Sequence, residues 1–252
     1  MTRARPAGRE QETDSVADET KERPVWDWPL RLWHWLFAAA VLGAWISGEW
    51  GGFDWRQWHF WFGQAAIGLL IFRLVWGFVG PRHARFFRFL PGPSRLLAYL
   101  KTLPRRESRE TVGHNPLGAL AVVVILGVVC AQAASGLFVF DDILYEGPWY
   151  VAVSEDTADF ASTIHHRLAW PVGLIIALHL AAIAFYRFYK RQRLTRAMIT
   201  GRKPADIVPK PDAIRGSRTV LALVLIVAVA AFTWWLLAVA PPEPPPTDDF
   251  WS

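Results

Sequence analysis

Five long apolar stretches, separated by polar segments, organise the 252-residue chain. A helix that crosses a bilayer needs about 20 consecutive apolar residues, because it must bridge a hydrocarbon core roughly 30 Å thick. Each of the five stretches is close to that length, so the pattern predicts an all-α integral membrane protein. The predicted spans are residues 30–48, 59–80, 117–138, 163–185 and 219–240.

Composition agrees with a membrane protein. Hydrophobic residues make up 53% of the chain, and many of its 15 tryptophans lie near the predicted span ends. Membrane proteins carry such aromatic belts where the hydrocarbon core meets water. The composition therefore supports five helices in contact with membrane lipid.

Charge predicts the orientation. The net charge is +5, and the basic residues are concentrated in the segment up to Arg31, in 81–116 and in 186–218, with six, eight and ten of the 27 Lys and Arg. If the spans alternate, these segments share one side, which the positive-inside rule assigns to the cytoplasm. Because the basic residues are spread over three loops, we expect no nucleic-acid partner. The prediction is a multi-pass protein of the bacterial inner membrane, with a cytoplasmic N-terminus and a periplasmic C-terminus.

The connection at 139–161, on the predicted periplasmic side, is acidic. It has no Lys or Arg and contains Asp141, Asp142, Glu146, Glu155, Asp156 and Asp159. Such a surface attracts a basic redox protein such as a c-type cytochrome and repels small anions. The alternative is that a translocated loop simply lacks cations.

These patterns divide the chain into five parts. The four-helix bundle is followed by a fifth transmembrane helix, and the polar ends are expected to be a disordered tail and an extended Pro-rich tail. The stretch at 85–103 is basic and amphipathic, which is typical of a segment lying on the inner leaflet. The predicted parts are a cytoplasmic tail at 1–24, the bundle at 25–200, a cytoplasmic linker at 201–218, the fifth helix at 219–240 and a periplasmic tail at 241–252.

Histidines inside the predicted spans provide the candidate chemistry. Histidine within a membrane is costly unless it is paired or ligated. His165 and His179 are 14 residues apart, so they lie within about 40° of one helix face and roughly 21 Å apart along the axis. His166 is the neighbour of His165 in the sequence. One residue corresponds to a rotation of about 100° around the helix, so His166 is about 100° further than His165 from the face of His179.

Depth matching pairs these two histidines with two others. If the helices alternate in direction, His59 lies at the outer level with His165, and His34 lies at the inner level with His179. Two opposed imidazole pairs in a four-helix bundle suit two haems with bis-histidine axial ligation. A zinc-type site would need several ligands around one point, and the sequence has no such cluster. Cys130 is the one cysteine, and no C-x-x-C-H motif attaches a haem covalently.

Arginines near the histidines are candidates for binding haem propionates. One of them, Arg73, follows His59 by 14 residues and so lies on the same helix face. The alternative for each is that its long side chain snorkels to the headgroups. The other two candidates are Arg31 and Arg167.

Glycines and two further histidines leave alternatives open. Small residues in the spans either make room for a flat macrocycle or allow close helix packing. His83 is expected to be solvated in a basic loop, and His114 to be a cap or surface residue before the third span. The glycines concerned are Gly43, Gly63, Gly68, Gly127 and Gly173.

Four motifs make the sequence resemble the bacterial cytochrome b561 and nickel–iron hydrogenase b-type cytochrome family. They are WDWPLRLWHW around His34, HFWFG from His59, GHNPLGAL at 113–120, and IHHRLAW with ALHLAA across His165 to His179. The resemblance covers about residues 24–195. The fifth helix and the Pro-rich tail are additional to it.

The resemblance implies a four-helix bundle with two b-type haems, ligated by His34, His59, His165 and His179. It implies electron transfer between a periplasmic redox partner and the membrane quinone pool. We expect that partner to be a c-type cytochrome or a hydrogenase-like subunit. A quinone is expected to bind between helices near one haem. One alternative is a stand-alone superoxide:quinone oxidoreductase, and another is a haem-free anchor or assembly subunit, in which the fifth helix grips a neighbour.

Overall fold

The computed structural model of the protein describes residues 22–106, 110–140 and 146–243. Several expectations lie outside the described residues. They are the tail at 1–21, the carboxylates Asp141 and Asp142, and residues 244–252 of the predicted periplasmic tail.

The described chain is mainly helical, with two strands of three residues each, which confirms the all-α class. Five of its helices are long and apolar enough to cross a membrane. The elements in chain order are β1 (Glu22–Pro24), α1 (Trp28–Glu49), α2 (Arg56–Val79), α3 (Phe86–Phe89), α4 (Pro93–Leu100), α5 (Pro116–Gly136), α6 (Glu155–Ala184), α7 (Leu194–Thr200), β2 (Arg202–Pro204) and α8 (Thr219–Trp234). The spanning helices are α1, α2, α5, α6 and α8.

Helix α6 differs most from its predicted bounds. It begins at Glu155, eight residues before the predicted span. Its first turn contains Glu155 and Asp156, and negative side chains are favourable at the positive end of a helix. A search for apolar residues misses this polar extension. At their C-terminal ends, α6 and α8 continue as π-helical turns, Phe185–Tyr189 and Trp235–Val239.

Side-chain caps fix the start of two spanning helices. The Asp27 carboxylate accepts hydrogen bonds from the Leu30 backbone N–H, at 3.0 Å, and from the Trp76 indole, also at 3.0 Å. At α5, the Asn115 side-chain oxygen accepts the Gly118 N–H at 2.7 Å, with Pro116 in the first turn. The cap of α5 is therefore Asn115 and not His114.

The first of two compact units comprises residues 22–32, 76–106 with 110–120, and 180–219. In it, β1 and β2 pair antiparallel, with Arg23 opposite Lys203. The Gly201 carbonyl accepts the backbone N–H groups of Val25 and Trp26, and Gly201 has a φ of 77° that favours glycine. Part of the segment expected as a linker, 201–218, is thus a strand, and its Val208 is fully buried.

The second unit comprises residues 33–75, 121–140 with 146–179, and 220–243. Its core consists of apolar side chains from the spanning helices, with Phe37, Leu70, Phe72, Leu126 and Val129 among the most buried. Several helices approach closely at glycines. A Cβ added to Gly43 would lie 2.7 Å from the Phe62 ring, and one added to Gly173 would overlap the Trp45 ring.

Candidate functional site

Two histidine pairs lie in the second unit, each joining α6 to another spanning helix. The rings of His34 on α1 and His179 on α6 have centroids 6.3 Å apart and planes at 49°. The rings of His59 on α2 and His165 on α6 have centroids 5.9 Å apart and planes at 89°. The structure thus brings together the pairs expected from depth, although ligation itself stays a prediction.

Both spacings suit one metal ion between two imidazoles. An imidazole nitrogen binds a metal at about 2.0–2.1 Å, so two rings on opposite sides of one ion have centroids roughly 6 Å apart. In the described part of the chain, no group of three or more His, Cys, Asp or Glu side chains could hold a metal. Two protein ligands at each point fit haem, because the macrocycle supplies the other four nitrogens.

Hydrogen bonds orient the rings of the second pair. The Nδ1 atom of His59 is 2.8 Å from the Ala44 carbonyl oxygen, and the Nδ1 atom of His165 is 2.9 Å from the Gln132 carbonyl oxygen. A carbonyl only accepts, so each Nδ1 donates and each Nε2 keeps the lone pair that a metal needs. Such an outer bond fixes the tautomer and increases the basicity of a ligating histidine.

Two glycines that the sequence analysis missed touch these rings. A Cβ on Gly48 would lie 2.8 Å from the His59 Nδ1, and one on Gly136 would lie 2.8 Å from the His165 Cε1. Gly48 follows His34 by 14 residues, the interval that separates His165 from His179. Helical phase therefore places Gly48 on the same face of α1 as His34, which is a signal that the sequence does contain. For Gly136 the sequence offers no comparable signal.

The glycines considered in the sequence analysis divide between the two alternatives. Gly43 and Gly173 pack against aromatic rings, and Gly68 faces Thr233, as close helix packing requires. A Cβ on Gly63 or Gly127 would meet no atom within 4 Å in the described structure. Packing therefore explains three of the five.

The three arginine candidates have different environments. Arg73 is 1% exposed, and its guanidinium lies 5.5 Å from the centroid of the Trp33 ring, so it does not snorkel. Arg31 is half-buried and donates to the Ile199 carbonyl. Arg167 is exposed, as snorkelling to headgroups requires. Contact of any of the three with a propionate stays a prediction.

The remaining histidines lie elsewhere. His166 is exposed, and its Nδ1 is 2.7 Å from the Ser162 carbonyl oxygen on its own helix. The expectation of a solvated His83 is wrong, because its ring is half-buried beside Trp26 and its Nε2 lies 2.7 Å from the Asp212 carbonyl oxygen. His114 packs between the rings of Trp26 and Phe89, at centroid distances of 4.7 and 4.5 Å. These last contacts bring together residues far apart in the sequence.

Comparison with known proteins finds one family and several relatives. A family model described as "Prokaryotic cytochrome b561" matches residues 25–201. The "Probable Ni/Fe-hydrogenase B-type cytochrome subunit" of Azotobacter chroococcum mcd 1 is 27% identical over 213 residues, covering 70% of this chain and 86% of the relative. The protein of the same description from Rhizobium leguminosarum bv. viciae is 25% identical, covering 71% and 87%. The "Probable Ni/Fe-hydrogenase 1 B-type cytochrome subunit" of Escherichia coli (strain K12) is 23% identical, covering 65% and 83%.

Proposed function

The chain belongs to the prokaryotic cytochrome b561 family, and from this membership we propose that it is the dihaem membrane subunit of a hydrogenase-type redox complex. It is a multi-pass b-type cytochrome that transfers electrons in a membrane. The proposal adds the number of haems, their ligands, the partner and the quinone. The observation that carries it is the presence of two facing histidine pairs, with ring centroids 6.3 and 5.9 Å apart.

Each pair would hold one haem iron through its two imidazoles. Haem b supplies reversible one-electron chemistry at iron, and bis-imidazole ligation with burial sets its potential. The chain's own part is to hold the rings and to exclude water. His59 and His165 are tied to backbone carbonyls, and each ring is beside a glycine that leaves no room for a side chain. Such support holds a ligand in one orientation.

Two haem sites at different depths would suit electron transfer across a membrane. His165 and His179 lie on one helix, about 21 Å apart at a rise of roughly 1.5 Å per residue. One redox centre at each level would connect a partner on one side with a quinone on the other. We propose that the first pair lies towards the cytoplasm and the second towards the periplasm, following the distribution of Lys and Arg.

The names of the relatives support the choice of partner. They are described as hydrogenase cytochrome subunits, and we propose a hydrogenase-like partner for this chain. The acidic connection keeps a c-type cytochrome as the alternative, because Glu146, Glu155, Asp156 and Asp159 would attract a cationic protein. In either complex, electrons would pass from the partner to the quinone pool or from the quinone pool to the partner.

Counting haem in histidine variants tests the ligands. We expect about two haems per chain in the wild type by pyridine haemochrome assay. His59→Ala and His165→Ala should each lose one haem, and His34→Ala and His179→Ala should each lose the other, as judged by reduced-minus-oxidised spectra. His166→Ala is the matched control, because it removes an exposed imidazole next to His165 and should keep both haems.

Two results would contradict the ligand assignment. One is a wild-type protein with a single haem. The other is a His166→Ala variant that loses haem while His165→Ala keeps it.

Reconstitution tests the partner and the alternative function. The purified chain in liposomes with a quinone should remain oxidised when superoxide is generated outside and become reduced when the cognate hydrogenase subunits and hydrogen are added. Rapid superoxide oxidation coupled to quinone reduction by the chain alone would instead support a stand-alone oxidoreductase.

A further inference from the structure

A basic pocket lies in the first unit, between the two short strands and α7. We define it by Arg191, Arg193, Arg196, Arg202 and Lys203, with Glu22 and Glu110 also in its wall. Its volume is about 180 Å³. On the same measure one water needs roughly 10–15 Å³, so the basic pocket can hold a polyatomic anion.

Charge in the basic pocket is unbalanced. Arg196 pairs with Glu22 at 2.8 Å, and Lys203 pairs with Glu110 at 2.7 Å. Within the described residues, the other three arginines of the basic pocket have no carboxylate within ion-pair distance. Three like charges around one cavity repel one another and create a positive potential that concentrates anions.

The backbone holds one of these arginines in an uncommon conformation. Arg191 has a φ of 58°, in the left-handed region that residues with a Cβ rarely adopt. The hydrogen bond from the Gln192 N–H to the Tyr186 carbonyl, 2.9 Å long, closes this turn after α6. Strained residues of this kind are concentrated at ligand-binding sites.

The basic pocket lies close to the end of a candidate membrane span. Arg191 lies two residues after the end of the candidate span Glu155–Tyr189. The last residues of that span include Phe188, 75% exposed, and Tyr189, 41% exposed. Aromatic side chains mark the interface between hydrocarbon and water. A group bound next to them lies where phospholipid phosphates are found.

We propose that the basic pocket binds a phosphate group. Guanidinium groups bind phosphate through paired hydrogen bonds, and basic pockets at the ends of transmembrane helices bind anionic headgroups. The source is either the headgroup of an anionic phospholipid or a soluble phosphate compound. The depth of Arg191 favours the lipid. This site is separate from the histidine pairs and does not depend on the proposed function.

The test uses the full-length holoprotein, delipidated in detergent. Native mass spectrometry and thermal shift would measure binding of phosphatidylglycerol, with phosphatidylcholine as the zwitterionic comparison, in which the choline cation offsets the charge of the phosphate. A second arm would use inorganic phosphate and a nucleoside triphosphate. We expect phosphatidylglycerol to bind in preference to phosphatidylcholine. Saturation by either soluble phosphate at low concentration, with displacement of the lipid, would identify a soluble ligand for the same site.

Paired variants separate a site from general surface charge. Arg193→Gln/Arg202→Gln removes two pocket charges, and we expect affinity for phosphatidylglycerol to fall about 30-fold. Arg106→Gln/Arg215→Gln removes two exposed charges outside the basic pocket and outside the amphipathic stretch at 85–103, and should change affinity less than about twofold. The Soret spectrum of each variant reports whether the bundle is intact.

The proposal is overturned if both double variants lose affinity equally, because binding would then be diffuse. It is also overturned if neither variant changes the binding of any phosphate compound.

Discussion

Replacing Gly136 by alanine should release one haem and leave the other. The added Cβ would lie 2.8 Å from the His165 Cε1 and 3.1 Å from its Nδ1. Carbon atoms in ordinary contact are about 3.5–4.0 Å apart, so the ring or the helix must move by about 0.7 Å or more.

That displacement is large for a metal ligand. If His165 ligates a haem iron as proposed, it cannot keep both that bond and its place on α6, because bond lengths at a metal site vary by only about 0.2 Å. Movement would also stretch the 2.9 Å hydrogen bond between His165 Nδ1 and the Gln132 carbonyl. We expect haem content to fall from about two to about one per chain. Overpacking should in addition lower the free energy of unfolding by about 1–3 kcal/mol.

Gly127→Ala is the matched control. Gly127 lies on the same helix nine residues earlier, about 180° around the axis, on an exposed part of the helix surface, and its added Cβ would meet nothing within 4 Å in the described structure. Gly127→Ala gains about 1 kcal/mol of helix propensity in the helix interior, whereas Gly136→Ala gains less because Gly136 is the last residue of α5. Pyridine haemochrome assay and potentiometric titration would compare the two variants. Gly136→Ala with both haems at their wild-type potentials would refute the reasoning, and so would equal haem loss in Gly127→Ala.

Three further predictions concern the two units separately. Lys203→Met should lower the free energy of unfolding by about 3 kcal/mol, because it leaves Glu110 partly buried without its cation, and Lys203→Met/Glu110→Gln should recover most of the loss in a thermal unfolding assay. Burial lowers the pKa of His83 below its ordinary value of 6.5, so the unfolded chain takes up the proton first and stability should fall as the pH drops below about 6.5. In His83→Gln this part of the pH dependence should disappear from melting curves, and an unchanged pH profile would contradict it. If a cationic c-type cytochrome docks on the acidic connection, its rate of electron exchange should fall steeply with ionic strength, whereas a rate insensitive to salt would remove that partner.

Helical periodicity explains why the histidine pairs could be predicted. An apolar segment in a membrane has few alternatives to a helix, because lipid cannot form hydrogen bonds with the backbone. The spacing of two residues in the sequence therefore gives the angle between them around the helix and their difference in depth. The 14-residue interval between His165 and His179 therefore predicted two levels on one face. Alternation of the helices then predicted His59 and His34 as partners, and the structure places those rings together.

Polar segments were harder to predict, because periodicity carries no information there. Residues 201–218 read as a linker by composition, yet β2 pairs with β1 almost 180 residues away. His83 read as solvated, yet Asp212 and Trp26 bury it from distant parts of the chain. In each case the deciding contact joins residues that are remote in sequence.

The sequence by itself determined the membrane class, the five helices and the pairing of the candidate ligand histidines, because hydrophobic length and helical phase are local properties. Only the tertiary structure decided which atoms support those ligands. The carbonyls of Ala44 and Gln132, the close approach at Gly136 and the burial of Arg73 depend on how the helices pack. Packing depends on side-chain shape across several elements at once, and no single stretch of the chain encodes it.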